Sequence, residues 1–226
     1  QALGFNGAQV ASSYAACASG ATALQVARGQ ILSGATDVAL IIGADTTPKG
    51  FLAPNEGDRP DDMDWLRFKL VGATNPVYFG LQARRRMDLY GATTDDFARV
   101  KVKNSRHSVH NPRARFTKEY DIDDVNNSPV VSDPLRLLDI CATSDGGAAI
   151  VVSSMEYAKA HGHADPVRVA GISTVTPTFP DTVIDLPYIA TDSAGATSRP
   201  DRGFKQSIGD RVYAEAGLGP DDVDVA

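Results

Sequence analysis

Cysteine is scarce in this chain of 226 residues: there are two, Cys17 and Cys141, far apart. That spacing resembles no disulfide framework, and a reducing, cytoplasmic setting is the simpler expectation. Long hydrophobic runs are missing as well. Apolar stretches such as residues 38–42 fall far short of the roughly 18 residues that read as a membrane span. Positive charge is in deficit, with 22 Lys and Arg against 28 Asp and Glu, a net charge of -6 and a pI near 5.1. A nucleic-acid surface normally needs clustered cations, so that class is disfavoured. A few local arginines would still suffice for the phosphates of a small ligand. The chain also lacks a basic leader and an initiator Met, opening Gln1-Ala2-Leu3-Gly4-Phe5. Both ends read as the inside of a longer protein.

What is present points to an α/β domain. Residues 8–14 alternate loosely and predict a strand entering a tight turn. Residues 17–33 are rich in Ala with Arg28 the one charge, which predicts a helix buried on most sides and stopped by Gly34. Residues 38–42 predict a strand covered on both faces. Strand, helix and strand in that order make a layered α/β unit. Residues 46–71 read as loop. Pro76 opens a helix that runs past Leu81 and Met87 to Gly91, and Thr94 begins another towards His107. Residues 108–134 are polar and punctuated by proline, an excursion rather than core. Core resumes over 135–140, and residues 146–152 predict a second buried strand. Ser154 caps a short helix to His161. A strand is expected over 167–172, a long loop over 176–201, and a helix over 203–216 closed by Gly217.

The segment richest in chemistry is Tyr14-Ala15-Ala16-Cys17-Ala18-Ser19-Gly20. It sets a cysteine where a strand gives way to a helix. Free N–H groups at a helix mouth favour a thiolate, and the small neighbours leave room for an acyl group to reach the sulfur. Such a thiolate is a fit nucleophile for acyl transfer from a thioester. The competing reading is an ordinary buried cysteine.

Cys17-Ala18-Ser19-Gly20 resembles the nucleophile motif of the thiolase superfamily. Asn104-Ser105-Arg106-His107-Ser108-Val109-His110-Asn111-Pro112 resembles a loop-domain signature of the sterol-carrier-protein-type branch. Thr143-Ser144-Asp145-Gly146-Gly147 resembles the glycine-rich turn that closes the N-terminal thiolase half. The resemblance implies a five-layered α-β-α-β-α fold of two similar halves, usually a homodimer, present here as a fragment. Residues 1–45 and 135–165 would belong to the N-terminal half, 46–134 to an inserted loop domain, and 166–226 to the start of the C-terminal half.

The resemblance also implies Cys17 as catalytic nucleophile, with Ser19, Phe79, His107 and Arg113 near the substrate. Coenzyme A enters as substrate, and no bound cofactor is expected. The family activates its cysteine through a His in a Gly-His-Pro motif and through further C-terminal groups that this sequence does not contain. None of His107, His110, His161 and His163 sits in such a context. Three activities follow as expectations. The first is a thiolase acting on a 3-ketoacyl-CoA. The second is a retro-aldolase cleaving a steroid side-chain CoA ester beside a partner with a DUF35 domain. The third is a non-catalytic acyl-CoA or lipid carrier.

Other residues carry less. His107 and His110 are three apart, but no third ligand accompanies them, and no metal site is expected. Arg84, Arg85 and Arg86 splay around a helix as solvated charge, with a phosphate contact open to any of them or to Arg113 or Arg115. Cys141 is expected to pack in the core. The acidic stretch over 58–64 matches no calcium loop.

Overall fold

The computed structural model describes residues 7–46, 75–176 and 204–225. The acidic stretch at 58–64 and nearly all of the two expected loops lie outside the described residues. The described residues up to Asp45 and from Gly146 onward form one compact unit. Those between Thr46 and Asp145 form another.

In the first unit, a short 3₁₀ turn, Ala16–Ala18, leads into helix α1, Ser19–Leu32. Alanine favours the helix throughout. Its end is a Schellman cap: Gly34 has φ +73, its N–H donates to the Ile31 carbonyl at 3.0 Å, and the Ala35 N–H donates to Gln30 at 2.9 Å. Strand β1, Val38–Asp45, pairs antiparallel with β4, Gly146–Ser153, in register from Val38 opposite Ser153 to Asp45 opposite Gly146. Ser154 then caps helix α5, Met155–Ala160, its hydroxyl accepting the Tyr157 N–H at 3.1 Å. Helix α6, Phe204–Ala216, ends at Gly217, with φ +69.

Three expectations for this unit need correction. Residues 8–14 and 167–172 are irregular rather than strands. In the second case the Ile172 N–H donates to Glu215 Oε2 at 2.9 Å, so a carboxylate on α6 takes the place of a strand partner. Burial is the third point. Ala39 and Ile41 are half-buried and α1 packs on the strand pair, whereas Leu40 and Val151, opposite each other, are 52% and 68% exposed. Directly paired residues share a face, so among the described residues one face is partly covered, at Ala39, Ile41 and Val152 with Ile150 still 48% exposed, and the other is open. On α1 itself only Ala27 is buried.

Three ties lace this unit. Arg28 on α1 pairs with Glu215 Oε1 at 2.5 Å, and Glu215 also holds Ile172. Thr174 donates to Gln25. Gly171 lies so close to α6 that an added Cβ would meet the Val212 carbonyl oxygen at 2.7 Å.

In the second unit, helix α2, Asn75–Tyr90, ends at Gly91 with φ +67, and helix α3, Thr94–Ser108, follows. Asp96 Oδ2 accepts both the Thr93 N–H at 2.8 Å and the Thr93 hydroxyl at 2.9 Å. Those two bonds, helped by Arg99, hold its carboxyl below the usual range. Helix α4, Ile122–Asn126, and the short strands β2, Val130–Ser132, and β3, Leu135–Arg136, complete the unit.

Here the reading of 108–134 as an excursion fails. Val125 is 1% exposed, and it joins the fully buried Ala98 and the 2% exposed Ser105 among the best-covered side chains of the unit. Val125 and Ile122 are apolar residues three apart in a mostly polar stretch, and the Asp121–Asp124 capping bonds wind the chain there into a helix beside α3. Ser105 then earns its burial by accepting the Tyr120 N–H at 3.1 Å and donating to the Val102 carbonyl at 2.8 Å. Gly80 lets α2 sit directly on β2, since a Cβ there would lie 2.5 Å from Ser132 Oγ and 3.1 Å from the Ser132 carbonyl oxygen.

Candidate functional site

Cys17 occupies the middle of the 3₁₀ turn, just ahead of the first residue of α1, and it is exposed. The backbone there is unusual. Ala16 has φ +48, the one non-glycine residue with positive φ among the described residues. For an L-residue the left-handed conformation costs about 1–2 kcal/mol, so neighbouring bonds must hold it. The Ala18 N–H donates to the Ala15 carbonyl at 2.9 Å and closes the turn. The Ser19 hydroxyl reaches back across it, accepting the Ala15 N–H at 2.9 Å and donating to the Ala16 carbonyl at 2.7 Å. Thr22 donates to the Ala18 carbonyl at 3.0 Å.

The result is a sharp bend that lifts a thiol into solvent in front of a helix. Ala15, Ala16, Ala18 and Gly20 are too small to crowd it, and an added Cβ at Gly20 would touch nothing within 4 Å. The arrangement suits a nucleophile that meets a bulky acyl group. Ser19 was expected among substrate contacts, but its hydroxyl is committed to two backbone partners. The bend itself could not be foreseen, because alanine gives no signal of a left-handed residue; glycine or asparagine would have.

The remaining candidates belong to the second unit. Phe79 lies on α2, half exposed, with its ring edge-on to Tyr78 at 5.2 Å. It lines a cleft of about 720 Å³ between α2 and residues 135–141, together with Arg85, Arg86, Leu89, Tyr90 and Ile140. Cys141 sits on the same cleft and is exposed, so the expectation that it packs in the core is wrong: the chain leaves β3 in a turn, and the cleft separates this residue from α2. Asp139, also on the cleft, accepts the Arg136 N–H at 2.9 Å through Oδ2. Its Oδ1 is buried with no hydrogen-bond partner among the described residues.

His107 is exposed in the last turn of α3, and Arg113 is exposed in the turn beyond it, its N–H donating to Asn111 Oδ1 at 3.0 Å. Neither lines the cleft that holds Phe79. Arg84 pairs with Asp133, while Arg85 and Arg86 face the cleft, so the three arginines do splay. Beside α3, Lys101 lies 3.5 Å over the Phe116 ring and 5.0 Å from that of Tyr120, and burial lowers its pKa. Among the described residues no three His, Cys, Asp or Glu side chains are grouped to hold a metal, and no helix is long and apolar enough to cross a membrane.

Comparison with known proteins gives this geometry its context. The model of the thiolase N-terminal domain matches residues 7–156. Sterol carrier protein 2 of Rattus norvegicus is 30% identical over 99% of this chain and 41% of its own length. Benzoylsuccinyl-CoA thiolase subunit BbsB of Thauera aromatica is 31% identical over 93% of this chain and 50% of its own. Among solved structures, an Ltp2-ChsH2(DUF35) aldolase matches with a TM-score of 0.67 and 28% identity, covering 90% of this chain and 50% of that one. The chain thus spans half or less of the length of these relatives. Its α/β fold is thiolase-like. With two-thirds of its residues matching the N-terminal domain, the chain belongs to the thiolase superfamily, in the sterol-carrier-protein-type branch.

Proposed function

We propose that the protein is an acyltransferase of thiolase type, in which Cys17 cleaves a 3-ketoacyl-CoA. The observation that carries the reading is the exposed thiol on a strained turn at the head of α1. In the degradative direction the Cys17 thiolate attacks the 3-keto carbon. The bond between C2 and C3 breaks, acetyl-CoA leaves once C2 takes a proton, and the shortened acyl group stays on Sγ as a thioester. The thiol of a second coenzyme A then accepts that acyl group and frees Cys17. Backbone N–H groups other than those of Ala15, Ala18 and Ser19, which donate within the turn, would hold the developing oxyanion together with groups beyond this chain. The acid and base groups would come from beyond this chain, as would the second protomer of a homodimer.

One observation favours a second reading. The aldolase that matches 90% of this chain carries, as its name states, a DUF35 component. A retro-aldolase would cleave a β-hydroxyacyl-CoA of a steroid side chain through general acid and base groups and without an acyl-cysteine. A DUF35 protein would then be the partner.

Product analysis separates the two. The full-length protein is incubated with a 3-ketoacyl-CoA plus coenzyme A, and in parallel with a β-hydroxyacyl-CoA. Thiolysis yields acetyl-CoA and a shortened acyl-CoA, consumes one coenzyme A per turnover, and is abolished in Cys17→Ala. Release of a ketone or aldehyde from the hydroxy substrate, unchanged in Cys17→Ala, would replace the thiolase reading with the aldolase one.

A further inference from the structure

The turn around Cys17 contains a hydroxyl whose bonds do not serve the helix it belongs to. Ser19 is the first residue of α1, and the N-cap is Ala18, which offers no side-chain cap. A serine stabilising the helix would accept from N–H groups inside the first turn. Ser19 instead turns away from the helix. Its oxygen accepts the Ala15 N–H at 2.9 Å, and its proton goes to the Ala16 carbonyl at 2.7 Å. The two partners bracket the Ala15–Ala16 segment, one in the peptide that enters Ala15 and the other in the peptide that leaves Ala16, and Ala16 is the residue held at φ +48.

Peptide planarity extends the consequence to Cys17. The Ala16 carbonyl and the Cys17 N–H share one rigid trans unit. Fixing the carbonyl therefore fixes the plane from which the Cys17 side chain springs. We infer that Ser19 is a positioning residue for Cys17: its hydroxyl ties the Tyr14–Ala15 peptide to the Ala16–Cys17 peptide, holds the alanine between them in the left-handed conformation, and so sets the direction of the thiol. The inference rests on Cys17 being the nucleophile. It departs from a role for Ser19 in contacting substrate, because its one proton and one of its two lone pairs are already used within the turn.

A clamp of this kind has a signature that a purely structural serine lacks. Without the hydroxyl the Ala16 carbonyl keeps the Ser19 N–H but the Ala15 N–H loses its acceptor, so Ala16 can relax towards its preferred conformations and carry the thiol with it. Glycine visits positive φ as readily as negative, so glycine at position 16 needs the clamp least. The experiment measures the rate of Cys17 alkylation by iodoacetamide in the full-length protein, with the modified residue located by peptide mass mapping. Thermal unfolding is followed in parallel.

Ser19→Ala is expected to slow or misdirect alkylation, changing the rate roughly tenfold, the scale set by the left-handed preference of an L-residue. Ser19→Thr, which keeps the hydroxyl, should stay close to wild type. The double variant Ala16→Gly with Ser19→Ala should recover most of the wild-type rate. A wild-type rate in Ser19→Ala would overturn the inference. So would a loss that neither threonine nor the added glycine repairs, because the serine would then be acting on the fold at large. Alkylation reads the presentation of the thiol alone. Failure of Cys17 to form an acyl adduct would sink the thiolase reading and leave the clamp result standing.

Discussion

Cys17 and Cys141 are both exposed, and each lies among residues suited to a ligand, yet their surroundings differ in kind. Cys17 stands on a turn of small residues, beside a left-handed alanine and a serine that bonds across the bend. Cys141 lies at the edge of an apolar cleft with two arginines, Arg85 and Arg86, on its far wall. The first setting constrains the backbone and leaves the sulfur open. The second provides volume and apolar surface but, among the described residues, no hydrogen bond that orients the thiol. Exposure alone does not make a nucleophile; the difference lies in what the surrounding backbone is made to do.

That contrast can be tested through the packing on which each region stands. The largest stability effect is expected at Gly171, where a methyl group would collide with the Val212 carbonyl at 2.7 Å. Gly171→Ala should cost about 1–3 kcal/mol, in the range for overpacked sites, measured by denaturant unfolding of the full-length protein. Gly80→Ala presses on Ser132 beneath the Cys141 cleft, and should cost less because the nearest atom is a side-chain hydroxyl that can rotate away. A Gly80→Ala loss larger than that of Gly171→Ala would reverse the order of the two contacts.

The smallest effect is electrostatic. Glu215 accepts the Ile172 N–H and, next in strength, pairs with Arg28 on α1, and both lower its carboxyl from the ordinary 4.5. A depressed folded value means that the ionised group stabilises the fold in full above the unfolded value. That contribution is lost as pH falls through the folded value. Stability of the wild type should therefore decline below about pH 4.5 more steeply than that of Glu215→Gln, and the two should converge in acid. Parallel pH profiles would show that the carboxylate adds nothing to the tie between α6 and α1.

How much of this was legible depended on whether a feature leaves a local signal. Helix ends were readable because Gly34, Gly91 and Gly217 take the positive φ that only glycine adopts freely. Ser154 was readable as a cap for the same local reason. Residues 167–172 carried an apolar strand pattern, but strand formation needs a partner, and here the Ile172 N–H went to Glu215, forty-three residues on. Val125 gave little signal because Ile122 and Val125 make one helical spacing, too short to establish a period, although Val125 is among the most buried side chains. At the candidate site, Cys17 and its small neighbours were legible as a motif. The left-handed Ala16 and the two hydrogen bonds of the Ser19 hydroxyl were not, because neither residue type announces that role. Cys141 was misjudged since its exposure depends on a cleft formed with α2, far away in sequence.

The most direct test of the central claim is the intact mass of the full-length protein after incubation with an acyl-CoA, followed by peptide mapping. The account predicts one acyl group, carried on Cys17 and not on Cys141, discharged by added coenzyme A and missing in Cys17→Ala. An acyl group on Cys141, or a protein that turns over substrate with no adduct on Cys17, would contradict it.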